Sequence, residues 1–189
     1  MTTHPDSKRG KSSGLFERLR RDHARVLGEI GALEANLLRH GRGGRLPAEV
    51  EAALPKALSL LEAEFASHMA AEDEILYPAL IAAIPAASGS IEPLFSEHAE
   101  LRQMLAKLVA TLDEPVGVDR SEQLRVQIHD IADLLRLHLR KEESLVFQLA
   151  PQLLAPSEIA AVSARLAKLE KAVPKTQRTT MNRSKGDRR

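Results

Sequence analysis

The sequence contains no cysteine, so neither a disulfide framework nor a thiolate metal site can form. Any metal ion would have to be bound through nitrogen and oxygen atoms. The lack of cysteine also suits a reducing cytoplasm. With 189 residues, of which 43% are hydrophobic and 28% charged, the chain fits one soluble domain that is large enough to close a core.

Long apolar runs are missing as well. Residues 1–14 are polar and lack the apolar centre of a signal peptide. The longest apolar stretch, residues 75–87, is interrupted by Pro78 and Pro85. We therefore expect no export and no membrane span, and we expect the protein to be cytoplasmic.

Charge is distributed unevenly behind the net value of +1. Both ends are basic and lack apolar periodicity, so we expect disorder at residues 1–13 and 174–189, around an acidic folded domain at 14–173. The basic tail could contact nucleic acid or another acidic surface, although a solvated tail is the favoured interpretation. Its basic residues are Lys175, Arg178, Arg183, Lys185, Arg188 and Arg189.

Apolar spacing predicts four long helices and a shorter fifth one, with no segment that alternates like a half-buried strand. We place the long helices at about residues 15–39, 56–84, 93–113 and 121–149, and the fifth at 157–171. A short lead-in from Pro47 precedes the second helix, Pro78 bends or ends it, and Ser121 is the expected N-cap of the fourth. The predicted fold is an all-α, antiparallel up-down-up-down four-helix bundle with a short C-terminal helix.

Each long helix carries one histidine on its otherwise apolar, core-facing stripe, which on the fourth helix continues to Leu145 and Leu149. The second and fourth helices add a glutamate one turn after the histidine. Ionised carboxylates in a dry interior cost several kcal/mol, and facing carboxylates repel, so something positive must lie between them. Cations supply that charge and accept the imidazole lone pairs. The predicted metal ligands are His23, His68, Glu72, His98, His138 and Glu142.

An internal repeat supports a site for two metal ions. Residues 68–77 (HMAAEDEILY) align without gaps on residues 138–147 (HLRKEESLVF), and the sequence around His23 parallels that around His98. Two similar helix pairs would supply two equivalent half-sites, each with two histidines and one glutamate. Two metal ions with bridging carboxylates follow from this symmetry.

Other polar residues near the stripe receive weaker assignments. His4, His40 and His129 are expected to be solvent-exposed or to cap a helix. Four acidic residues adjoin a predicted ligand but are rotated about 100° from its face, which favours a solvated surface over a role in orienting an imidazole. They are Asp22, Asp73, Glu97 and Glu143. Asp22 and Glu97 are the candidates for the orienting role, and Tyr77, whose default is core packing, is a further candidate for contact with the site.

At these residues the sequence resembles the hemerythrin-like, or HHE cation-binding, family, whose pattern is a lone histidine and a His-x-x-x-Glu, repeated twice. The resemblance implies an antiparallel four-helix bundle around two oxo- or hydroxo-bridged iron ions. It also implies O2, peroxide or NO as the small partner, or iron sensing. Oxygen carriers of the family have a fifth histidine four residues after the position of His98, where this chain has Arg102, so reversible oxygen carriage is less expected.

Several functions remain open at this point. Nitrogen and oxygen donors would also accept zinc or manganese. A different class of function is a structural or partner-binding bundle in which the polar residues only fix the register of the helices. An enzymatic role is less expected than binding or sensing, although weak redox activity toward peroxide or oxygen remains open.

Overall fold

The computed structural model describes the backbone of residues 9–40 and 43–172 and the side chains of 14–40 and 43–169. Within these ranges the chain is all-helical and contains no strand, as predicted. A π-helical turn, Glu72–Leu76, joins α2 to α3, and a 3-10 turn, Pro85–Ala87, joins α3 to α4. The helices are α1 Arg9–Arg39, α2 Ala48–Ala71, α3 Tyr77–Ala83, α4 Ser88–Thr111, α5 Val118–Leu153 and α6 Pro156–Ala172.

The longest helix, α5, packs most extensively, against both α1 and α4. Helix α2 packs against α1 and α4, whereas α6 contacts α1, α2 and the π turn. Partners along α1 and α5 occur in opposite order, since His23 contacts Glu143 and Glu34 contacts His129. No described helix is long and apolar enough to cross a membrane.

Buried apolar side chains form two clusters, separated by the layer of the predicted ligands. One cluster includes Val26, Leu101 and Leu135, and the other includes Leu19 and Leu94. His23 lies between Leu19 and Val26 on α1, and His98 lies between Leu94 and Leu101 on α4. The predicted site therefore occupies a polar layer inside an aliphatic core.

Prolines lie inside three helices that were predicted to begin at or after them or to end before them. Helix α2 starts at Ala48 and contains Pro55, because its first turn is already closed by the N–H groups of Val50 and Glu51, which donate to the Pro47 carbonyl. Helix α4 starts before Pro93, and α5 continues through Pro151 to Leu153. In each case the ring removes one backbone donor while packing maintains the rest of the helix.

Ser121 is not the N-cap of α5, which begins at Val118 after Gly117. The Ser121 side chain is buried inside the first turn, where its hydroxyl donates to the Gly117 carbonyl and accepts from the Leu46 N–H. It therefore ties the loop before α2 to the start of α5. At the other end of the chain, α6 agrees with the predicted fifth helix.

Helix α1 begins at Arg9, earlier than the predicted start at residue 15. Residues 9–13 of the segment that was predicted to be disordered are thus part of a helix. Residues 1–8 and the predicted basic tail, 174–189, lie outside the described residues, so both remain predictions there.

The register of the core-facing stripe shifts in two helices. In the π turn the Tyr77 N–H donates to the Glu72 carbonyl, one residue further back than in an α-helix, and Leu76 and Tyr77 become buried. On α5 the predicted stripe is wrong beyond Glu142, since Leu149 is 45% exposed while Val146 and Ala150 are buried. A strict seven-residue repeat drifts by about 20° per heptad in a straight helix, and over this length the drift moves the stripe by about one residue.

Arg120 connects the end of α4 to α2 from a buried position. Its guanidinium donates to the Thr111 and Leu112 carbonyls, each at 3.0 Å, and to Glu51 at 2.6 Å. We expect Arg120→Met to lower the free energy of unfolding by about 2–3 kcal/mol, because the carbonyls and the carboxylate lose a charged donor. Urea unfolding of wild type and variant measures this difference. The same change at exposed Arg140 should leave stability within about 0.5 kcal/mol, and equal effects at both sites would contradict the role of Arg120.

Candidate metal centre

The structure brings all six predicted ligands together. His23 comes from α1, His68 from the last turn of α2, and Glu72 is the first residue of the π turn. His98 comes from α4, and α5 supplies the remaining two, one turn apart. All are fully buried except His68, which is 9% exposed. The six side chains therefore meet in one interior layer.

The carboxylate oxygens point at imidazole nitrogens from several helices. Glu72 Oε1 lies 3.2 Å from His68 Nε2 and 3.7 Å from His23 Nε2, and Glu72 Oε2 lies 3.6 Å from His98 Nε2. Glu142 Oε2 lies 3.1 Å from His23 Nε2 and 3.8 Å from His138 Nε2. The Nε2 atoms of His98 and His138 are 2.9 Å apart.

These donor atoms form two groups, each compact enough to surround one cation. The first consists of His23, His68, Glu72 and Glu142, and the second of Glu72, His98 and His138. Glu72 belongs to both groups. The two half-sites are consequently not equivalent, contrary to the symmetric arrangement expected from the repeat.

Several donor atoms in this layer lack a hydrogen-bond partner among the described residues. They are His23 Nε2, both ring nitrogens of His68, both oxygens of Glu72, and Glu142 Oε2. A buried polar atom without a partner costs about 1–3 kcal/mol, and more when it is charged. So many orphaned lone pairs converging on one place fit a cation site, since a metal ion would satisfy them together.

Protonation offers only a partial substitute for a cation. Burial opposes charge on His23, but the carboxylates of Glu142 and Glu72 outweigh it and raise the His23 pKa to about 10. For Glu142, burial is again opposed, mainly by His23, and its pKa falls to about 2. Burial and the nearby Glu142 charge raise the pKa of Glu72 well above its ordinary value. One imidazolium can thus balance one carboxylate, and the other carboxylate favours its protonated form.

Burial favours the neutral, metal-binding state of two further imidazoles. Burial lowers the pKa of His68 to about 3, and it also lowers the pKa of His138. The Nδ1 atoms of His98 and His138 donate to carboxylates, so in the neutral rings the facing Nε2 atoms are the ones that carry the lone pairs. Such a pair repels unless a cation lies between the two nitrogens.

Three imidazoles have a carboxylate behind them. Nδ1 of His23 contacts Glu143 Oε1 at 3.2 Å, Nδ1 of His98 donates to Asp73 Oδ1 at 2.7 Å, and Nδ1 of His138 donates to Glu97 Oε2 at 2.9 Å. The predicted solvated surface is therefore wrong for Asp73 and Glu97, whereas Glu143 contacts His23 while its side chain stays 45% exposed. Although each is rotated away from its own helix's stripe, it faces the histidine of a neighbouring helix, which single-helix periodicity does not reveal.

Basic residues hold two of these carboxylates from the outside. Arg102 pairs with Asp73, and Lys141 pairs with Glu97. Burial would raise the pKa of Asp73 and Glu97, but the imidazole and the basic partner outweigh it and lower both pKa values. Arg102 thus supports His98 through Asp73.

Asp22 does not have the orienting role for which it was a candidate. Its carboxylate accepts from Arg25 at 3.0 Å, and Arg25 also pairs with Glu64. By the internal repeat Asp22 corresponds to Glu97, and His68 is the imidazole that it would support. In the described part of the chain His68 has no hydrogen bond at either ring nitrogen.

Aromatic rings cover two of the histidines. Tyr77 stacks on His98 with ring centroids 5.6 Å apart, and its hydroxyl donates to Glu142 Oε1 at 3.0 Å. Burial and the carboxylates of Glu72 and Glu142 raise the pKa of the Tyr77 phenol, so it stays a donor. Phe147 stacks on His23 at 4.9 Å. Tyr77 is therefore packed in the core, as expected from the sequence, and it also contacts the predicted ligands Glu142 and His98.

The histidines that were expected outside the site lie outside it where the structure describes them. His129 is half-exposed and pairs with Glu34 at 2.6 Å. His40 follows the end of α1. His4 lies outside the described residues.

Comparison with known families agrees with this geometry. The sequence profile described as the hemerythrin HHE cation binding domain matches residues 14–150. The chain belongs to this family. No curated protein and no solved structure gave a match. As a hemerythrin HHE domain, the chain belongs to a cation-binding class, and its buried His and Glu clusters could hold metal ions.

The outer carboxylates of this HHE domain should tune metal affinity. We expect Asp73→Asn and Glu97→Gln each to weaken metal binding about 10- to 100-fold, because His98 or His138 loses the acceptor that orients it. Competition with a chromophoric chelator measures the dissociation constants. Asp22→Asn is the matched control, since Asp22 contacts Arg25, and it should change affinity less than about threefold. An equal loss in all three variants would contradict the orienting role.

Metal binding should release protons and strengthen with pH. Because the pKa values of His23 and Glu72 are raised, the metal-free chain holds protons that an ion must displace. Each released proton weakens binding about tenfold per pH unit as the pH falls, and for His23 this dependence extends up to about pH 10. Calorimetric titration in buffers of different ionisation enthalpy counts the protons. Affinity that is constant between pH 6 and 8 would contradict this expectation.

Proposed function

We propose that this HHE domain binds two iron ions within an antiparallel four-helix bundle and uses them to bind or sense a small diatomic molecule. The observation that carries the proposal is the pair of buried donor groups that share Glu72, whose lone pairs are largely unsatisfied. A carboxylate that belongs to two adjacent donor groups fits a pair of neighbouring cations.

The order of contacts supports the bundle. Along α1 and α5, the pair His23–Glu143 is followed by the pair Glu34–His129, so one helix ascends as the other descends. Between α4 and α5, His98 faces His138 and Thr111 faces Gln127, again in opposite order. Opposed neighbours joined by short connections are typical of an up-down-up-down bundle.

The donor chemistry supports iron. Imidazole and carboxylate ligands suit iron, zinc and manganese, so the donor set alone leaves three candidates. The second group, however, consists of two histidines and one carboxylate, the set that non-haem Fe(II) sites use with positions left open for a ligand. Iron supplies the capacity to bind O2 or NO and to change redox state. Binding of zinc or manganese instead of iron is one result that metal analysis would reveal.

A small cavity beside the imidazoles favours O2 or NO over peroxide. Apart from the four histidines, its lining is apolar, so it offers no further hydrogen bond to a polar ligand. The apolar lining residues are Val26, Phe65, Met69, Leu101, Leu135 and Leu139. Because Arg102 stands where oxygen carriers have a histidine, we propose sensing or binding of the diatomic molecule rather than oxygen transport.

Metal analysis of iron-replete protein tests the proposal. We expect about two iron ions per chain, loss of at least one of them in Glu72→Ala, and an optical change on adding O2 or NO to the reduced protein. Glu34→Ala is a suitable control, since Glu34 is also a buried glutamate but pairs with Arg136 and His129 outside the site. The control should keep both ions.

Three results would contradict parts of this proposal. Less than about half an equivalent of metal, with a melting temperature that a chelator does not change, would leave a structural or partner-binding bundle. If the protein preferentially retains zinc or manganese during competitive loading, iron is not the metal that it binds. Full iron loading without any response to O2 or NO would reject the proposed ligand.

A further inference from the structure

Glu72 and Glu142 are held differently, although the repeat makes them equivalent. Glu142 Oε1 accepts a hydrogen bond from Tyr77, which leaves Oε2 as its free oxygen. Both oxygens of Glu72 are without a hydrogen bond in the described part of the chain. One carboxylate therefore has one oxygen that a hydrogen-bond donor engages, which weakens that oxygen as a metal ligand, whereas both oxygens of the other are free of donors among the described residues.

A single hydroxyl group accounts for this difference. Tyr77 lies five residues after Glu72 and stacks on His98 with an interplanar angle of 22°. Phe147 lies five residues after Glu142 and stacks on His23 with an angle of 23°. The two rings thus occupy equivalent positions in the two halves, but only the tyrosine can donate to the opposite glutamate.

We propose that Tyr77 makes the two metal positions unequal by confining Glu142 to one of them. Glu72 then acts as the carboxylate that spans both ions, while Glu142 is a one-oxygen ligand on the side of His23. Tyr77 is a positioning residue in this scheme. The inference rests on the proposed function, because it concerns how the chain would hold two ions.

The positions of the oxygens fit this division. Glu72 Oε1 faces His68 and His23, whereas Glu72 Oε2 faces His98, so the two oxygens point toward different groups. Glu142 Oε2 is closer to His23, at 3.1 Å, than to His138, at 3.8 Å. The first position then has four protein ligands and the second has three. The additional ligand should make binding tighter at the first position. With fewer protein ligands, the second position keeps more open coordination sites.

Removing the hydroxyl should strengthen the weaker position. In Tyr77→Phe the ring stays on His98 but Glu142 Oε1 becomes free to reach the second ion. We expect the second dissociation constant to fall about tenfold while the first changes little, which reduces their ratio. If the Tyr77 hydroxyl only stabilised the core or oriented a ligand, its removal would instead weaken the binding of one or both ions.

Anaerobic titration of the full-length, metal-free chain with Co²⁺ tests the inference. Competition with a chelator yields both stepwise dissociation constants, and the visible Co²⁺ absorption reports the coordination number at each step. Phe147→Tyr adds a hydroxyl at the equivalent position, on the ring that stacks on His23. By the repeat it would donate to Glu72 Oε1, the oxygen on the His23 side, so it should weaken binding of the first ion about tenfold. Circular dichroism and melting temperature establish that each variant is folded.

The outcomes separate this inference from the proposed function. Failure of wild type to bind two Co²⁺ ions would overturn both. Two ions in wild type, with an unchanged or larger ratio of constants in Tyr77→Phe, would overturn the role of Tyr77 alone. A smaller ratio in Tyr77→Phe supports it. If Phe147→Tyr does not fold, Tyr77→Phe decides by itself.

Discussion

Two glutamates buried among leucines impose the constraint on which the rest of this structure depends. Glu72 and Glu142 are both fully buried, and no lysine or arginine of the described residues pairs with either. In the described part of the chain, the polar groups in contact with them are imidazoles, one phenol and each other. The balancing charge must therefore come either from protons, which burial opposes on histidine, or from cations bound between the carboxylates. The packing of four helices around this layer makes sense once the layer is treated as a site for positive charge.

Charged side chains behind two of the histidines connect the buried site to the protein surface. Behind His98 lies Asp73 and then Arg102, and behind His138 lies Glu97 and then Lys141. An imidazole, a carboxylate and a basic side chain thus follow one another outward from the centre along two chains of contacts. Each imidazole is fixed in one tautomer with Nε2 directed inward, so the ligand geometry exists before an ion arrives. Such preorganisation reduces the entropy that binding would otherwise cost.

Much of this could be predicted from the sequence, and the limits have physical causes. The all-helical class, the C-terminal helix and the convergence of six residues follow from apolar periodicity, because residues on one face of a helix face the core together. The contacts of Asp73 and Glu143 could not be predicted in this way, because they depend on the rotation of one helix against another. The π turn was also missed, since a change from α to π hydrogen bonding leaves no distinct residue pattern. The inequality of the two halves depends on one side-chain hydroxyl and on Asp22, which is a methylene shorter than Glu97 and is engaged by Arg25.

His68 differs from the other three histidines in having no carboxylate behind its ring and in reaching the protein surface at its edge. Rotation of its imidazole would break no hydrogen bond to the described residues, whereas rotation of His23, His98 or His138 would break one. Three of the four histidines are therefore held in place by a carboxylate, whereas the His68 ring can rotate. Any change in the size of the centre would be accommodated by His68, next to the π turn, with the helices on the opposite side left in place.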